Sequence, residues 1–165
     1  MSIKPRSRPQ WDLSRVLLEL MPQGIDTHKP AILGVRGYYQ DSMGRVGVND
    51  RGIYDDAIFV YAPGEMRSFN GNTDPSRHYK HKVATLLPGV HPYRLGWHKK
   101  GQPTGHKALR PATKGEELPV RRDGVKDPWP GVAINMHRGG RTTTSSEGCQ
   151  TIHPDQWQEF YDMVA

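Results

Sequence analysis

The chain has one cysteine in 165 residues, no paired metal-binding cysteines, and no long apolar run. A lone thiol cannot close an internal disulfide, so folding needs no oxidising compartment. No stretch approaches the ~20 apolar residues of a membrane-spanning helix, which excludes membrane insertion. Apolar residues are sparse at 35%, whereas 18 Gly and 14 Pro are many; short strands and frequent turns follow. There is no internal repeat and no HExxH. The glycines at 44, 47 and 52 lack the preceding strand and following helix of a phosphate-cradling loop. Residues 1–10 are basic and proline-bearing, and the apolar run after them is broken by Asp12, Arg15 and Glu19. That is not the pattern of a signal peptide, so synthesis in the cytoplasm without one is expected.

What is present fits one domain over 1–165, with 1–10 expected as a flexible tail. The net charge of +6 and pI near 9.5 point to an acidic partner. The basic residues are scattered without interleaved aromatics, which favours an anionic cell-wall polymer over nucleic acid.

Periodicity places an amphipathic helix over 11–21, with Leu13, Val16, Leu17, Leu20 and Met21 inward. A second covers 154–164, where Trp157, Phe160, Tyr161 and Val164 share a face. Strands are expected over 31–39 and 56–62, in 83–96 around the Pro88-Gly89 turn, and around Ala108 and Val120. Residues 63–82 read as a long polar loop bordering a cleft. The whole is mostly β, a β-rich α+β fold with a helix near each end.

The chemistry concentrates in 132–153, VAINMHRGGRTTTSSEGCQTIH. Val132, Ile134 and Met136 alternate with Ala133, Asn135 and His137, so His137 should close a strand on the face away from the apolar side chains. A Gly-containing hydroxyl loop follows, and Cys149 opens a second extended run. If the two runs pair antiparallel, His137 and Cys149 become neighbours. An imidazole beside a thiol can take its proton or stabilise the thiolate. Gly148 leaves room for a substrate carbonyl, and backbone N–H groups of Gly148 and Cys149 could face an oxyanion. The other reading of Cys149 is a small, inert packing residue.

Ile134-Asn135-Met136-His137 together with Ser146-Glu147-Gly148-Cys149 resembles the signature of the L,D-transpeptidase catalytic domain. That family has a strand ending in His-Gly, a variable loop and Ser-x-Gly-Cys. The resemblance spans about twenty residues, with Arg138 after the histidine and Glu147 at x. It implies a transpeptidase-like β-sandwich or barrel, Cys149 as nucleophile, His137 as base, and peptidoglycan stem peptides as substrate. Ser146, Gly148 and Gly139 then support the loop and oxyanion, while Arg138 or Arg141 would grip a substrate carboxylate. No cofactor or metal is implied. A small basic domain of this kind is expected to act in the bacterial periplasm or cell wall after delivery. Hydrolysis is expected over cross-linking, and the alternative class is a non-catalytic wall-binding or virion module. Eight histidines raise zinc, but His78 and His81 fall in a loop and His91, His98 and His106 lack ligand spacing. His98 and His106 read as solvated or cleft-lining.

Overall fold

The computed structural model describes residues 2–76 and 82–165. Strand accounts for 31% of the chain and helix for 16%, which makes the fold β-rich α+β, as expected. The strands are β1 (Ala31–Val35), β2 (Asp56–Ala62), β3 (Glu65–Asn72), β4 (Ala84–Leu86), β5 (Tyr93–His98), β6 (His106–Pro111), β7 (Glu117–Leu118), β8 (Val120–Arg122), β9 (Gly131–Val132), β10 (Met136–Arg138) and β11 (Gln150–Ile152). Seven form one curled sheet in the order β1-β2-β3-β11-β10-β6-β5; β4 with β8 and β7 with β9 make two small ribbons.

Helix α1 (Leu13–Leu20) begins where Asp12 accepts from the Arg15 N–H, 2.9 Å, and ends in a 3-10 turn closed by Gly24 in the left-handed region. Its buried Val16 and Leu20 cover Ala57, Phe59 and Tyr61 of β2. Leu13 and Met21, expected inward, stay exposed because the helix is short and only one stripe touches the sheet. Helix α2 (Pro154–Val164) opens with proline in its first turn and a side-chain cap from His153. Trp157 and Phe160 pack on the other face of the sheet against Ile58, Val60, Phe69, Met136 and Ile152. Gln156 adds polar docking: its Oε1 accepts from the Asn70 N–H at 2.7 Å and its amide donates to Asn70 Oδ1 at 2.8 Å.

Three sequence expectations are corrected. The polar stretch after Pro63 is largely a strand, β3, paired along its length with β2. Its buried Asn70 is satisfied by Gln156 and Ser7, so hydrogen bonding carries a burial that hydropathy does not show. The N-terminal residues do not trail free. The Ile3 carbonyl accepts from the Tyr54 N–H, Ser7 and Pro9 carbonyls accept from Asn70 and Ser68, and Arg8 pairs with Glu159. Finally, no continuous strand runs from Val132 to His137. Ala133 has a φ of +54°, which breaks the run and leaves Val132 in an exposed ribbon.

Candidate active site

Strands β10 and β11 are parallel, not antiparallel: Met136 faces Gln150, His137 faces Thr151 and Arg138 faces Ile152. Residues 139–149 therefore carry the chain back past β10 before β11 begins. Asn135 comes level with Cys149, and the Asn135 carbonyl accepts from the Gln150 N–H at 2.9 Å. Because side chains alternate along both strands, Cys149, Asn135, His137 and Thr151 share one face while Met136 and Ile152 enter the core. His137 thus reaches Cys149 from two residues further along the neighbouring strand. The expected juxtaposition holds, by a different pairing.

Nitrogens of His137 and His98 and the Cys149 sulfur lie within 4.8 Å of one another. His137 is buried, and its Nδ1–H donates to the Arg138 carbonyl at 2.8 Å, leaving Nε2 as the free lone pair. Arg138 therefore supplies by its backbone the contact that orients the imidazole. The His98 ring stacks on His137 at 3.9 Å and 12°. His106, the cross-strand partner of His98, meets His137 edge-on at 5.7 Å. Both its nitrogens are engaged: Nε2 accepts from the Arg138 N–H at 3.2 Å, and Nδ1–H donates to the Thr104 carbonyl at 3.0 Å. Trp157 of α2 sets its ring at 5.9 Å from His106, so helix docking reaches the site.

The electrostatics keep this cluster neutral. Burial and the neighbouring His98 lower His137 to about 3. Burial and His106 lower His98 to about 4. Burial raises the Cys149 thiol to about 11, opposed by the Asn135 N–H, which donates to Sγ at 3.3 Å, and by Arg110 and Lys99. Glu147 pushes in the raising direction. The resting pair is a thiol beside a neutral imidazole.

The loop before the thiol is pinned on both sides. Ser146 Oγ accepts from the Gly148 N–H at 3.0 Å and donates to the Cys149 carbonyl at 2.5 Å. The Ser146 N–H donates to Ser76 Oγ at 2.9 Å, and its carbonyl accepts from the Ser76 N–H at 2.7 Å. Gly148 has a φ of +152°, and a side chain there would meet the Ala84 carbonyl at 2.7 Å. This glycine is demanded by backbone packing, and its N–H is committed to Ser146. The Cys149 N–H has no hydrogen-bond partner among the described residues, so it is the donor left for an oxyanion.

The other expected residues lie elsewhere. Gly139 sits at the far end of β10, its N–H donating to the Ile152 carbonyl at 2.9 Å; a side chain there would run into Tyr54 and Thr151. Arg141 pairs with Asp155 at 2.6 Å at the start of α2, the end of the strands away from Cys149. Arg138 is exposed beside His106. His78 and His81 lie outside the described residues. Sequence reading gave Asn135 no role of its own and had His98 and His106 as solvated or cleft-lining rather than as ring partners of His137. Only the pairing of β5 and β6 next to β10 brings them in, and no local spacing signals it.

A cavity of about 1000 Å³ lies on the opposite face of the sheet, lined by Ile32, Ile58, Leu109, Met136 and Val164 among others. It is not the space in front of the thiol. The chain matches no protein-family model, no curated protein and no solved structure.

Proposed function

We propose that this chain is a cysteine acyl-transfer enzyme of the L,D-transpeptidase type, acting on peptidoglycan stem peptides at a bond between a diamino acid and a D-amino acid. One observation carries the reading: an oriented, neutral His137 whose free Nε2 lies on the same sheet face as the partly exposed thiol of Cys149. A packing cysteine has no need of such a neighbour.

In the first step His137 Nε2 takes the thiol proton as Sγ attacks the scissile carbonyl. Burial disfavours both the thiolate and the imidazolium, so proton transfer accompanies attack instead of preceding it. The tetrahedral oxyanion takes the Cys149 N–H. Collapse breaks the C–N bond, the departing D-amino acid's amine receives the proton from His137, and a thioester on Cys149 remains. Water, deprotonated by His137, then attacks the thioester and releases a carboxylate and the thiol. Hydrolysis is the outcome we assign; the amine of a second stem would instead give a cross-link. Lys99, whose charge reaches the sulfur, would face the stem's carboxylates, while Arg110 is committed to Glu116 and the Trp97 carbonyl. The enzyme would work in the bacterial periplasm or cell wall.

The test is chromatography of a purified muropeptide tetrapeptide after incubation with the native chain, Cys149→Ser or His137→Ala. Release of the terminal D-residue by the native protein alone supports the reading. Equal release by all three, or intact substrate with all three, contradicts it.

A further inference from the structure

Two imidazoles and a thiol in one cluster are more than acyl transfer requires, and His98 has no step in that mechanism. We infer that Cys149, His98 and His137 form a binding site for one zinc-class divalent cation, which takes the thiol out of reaction while it is bound. The inference rests on the same Cys149–His137 pair as the proposed catalysis.

The donor set is the first argument. Two imidazole nitrogens and one sulfur suit a tetrahedral borderline-soft cation, with the fourth position left to water. Ligands at ordinary zinc distances stand about 3.4–3.6 Å apart. The three donor atoms here already lie within 4.8 Å, and the half-buried His98 ring, stacked on His137 at 12°, completes the geometry by turning out of the stack so that both lone pairs meet at one point.

The surroundings are the second. Metal-bound histidines donate their other ring N–H to a carbonyl, which fixes the free nitrogen toward the metal. His137 has this arrangement through the Arg138 carbonyl. For His98 the partner is Asn135, whose Nδ2 stands 3.2 Å from His98 Nδ1 and whose Oδ1 is buried with no hydrogen-bond partner. Half a turn of that amide sets the orphaned oxygen against His98 Nδ1–H and leaves Nε2 as a ligand. The Asn135 N–H already donates to the sulfur, as is favourable for a bound thiolate. His106 is excluded because both its nitrogens are occupied.

Binding exchanges a proton for the metal: the S–H bond breaks, an S–metal bond forms and one proton enters solvent. The occupied site has neither a nucleophile nor a free base, so metal withdrawal would switch catalysis on.

Cobalt(II) titration of the full chain, followed by sulfur-to-cobalt charge-transfer absorption, tests this. The band should saturate at one equivalent and vanish in Cys149→Ala, in His98→Ala and in native protein whose thiol has been alkylated. The alkylated sample keeps the test sound if a variant misfolds. His91→Ala, which alters an exposed ring outside the cluster, should retain the band. Absence of the band, or its survival in His98→Ala, overturns the site. Zinc should lower muropeptide turnover at least tenfold, reversed by chelator; turnover that rises with zinc overturns the inhibitory role. The band needs no substrate, so a cobalt-binding but inert chain would defeat the catalytic reading alone, and an active chain with no band would defeat this one alone.

Discussion

Two buried polar clusters stand in this sheet, and they are built differently. Around the β1–β2 end, Asp50, Asp55, Asp56 and Asp74 are almost wholly buried. Asp56 accepts from the Gly37 N–H at 2.5 Å and from the Thr73 N–H and hydroxyl at 2.7 Å each. Asp74 is held by Arg36 and Asn49, and Asp50 accepts from the Arg45 N–H at 2.7 Å. These carboxylates tie loops to the sheet. The Cys149–His137–His98 cluster instead sets a free imidazole nitrogen beside a thiol, and the Cys149 N–H has no partner among the described residues. Burial alone does not mark a functional site. A nucleophilic atom with a base beside it is what separates the second cluster from the first.

Substitutions should separate the two clusters cleanly. Cys149→Ala should lower release of the D-residue by more than a thousandfold while moving the thermal midpoint by only a few degrees, since the side chain is small and partly exposed. Asp56→Ala should do the reverse. It orphans three donors and costs roughly 3–4 kcal/mol, or about 10 °C, with turnover per folded molecule near native. Calorimetry beside product analysis reads both. If Asp56→Ala lost activity at full stability, the comparison would collapse.

A third difference appears with pH. Burial and the neighbouring Asp56 charge raise Asp55 to about 8. The folded state holds this proton more tightly than the unfolded chain. The stabilisation is therefore complete below the ordinary carboxylate range and is lost as pH rises through about 8. The midpoint should fall between pH 6 and pH 9, and Asp55→Asn should flatten that decline.

Ser146→Ala joins loop order to chemistry. It frees the Gly148 N–H and the Cys149 carbonyl, and should cost about 1–2 kcal/mol with a tenfold drop in kcat. The smallest effect belongs to Arg141→Ala. Its ion pair with Asp155 is well exposed, so stability should move by less than about 0.5 kcal/mol. Its place at the far end of the strands predicts a KM within about twofold of native; a large rise would restore it to the substrate site.

Much of the frame was legible before the structure. β2 and α2 match their expected bounds to the residue, because β2 is an apolar run buried on both faces and α2 buries one apolar face. β3 was hidden because Phe69 is the one large apolar side chain among its buried positions, and the buried Asn70 is satisfied by the distant Gln156 and Ser7. The proposed nucleophile and base come from a short motif, but their geometry could not be read from it. A loop as short as 139–149 suggests a hairpin, whereas the chain crosses back to pair in parallel. His98 enters the site only through the sheet order, which lies beyond any local pattern.

The most direct test of the account is intact-mass spectrometry of the chain mixed with a muropeptide tetrapeptide, with Cys149→Ala run in parallel. The account predicts a transient acyl adduct on the native protein, absent from the variant, with the terminal D-residue released. Turnover that persists in Cys149→Ala would contradict it.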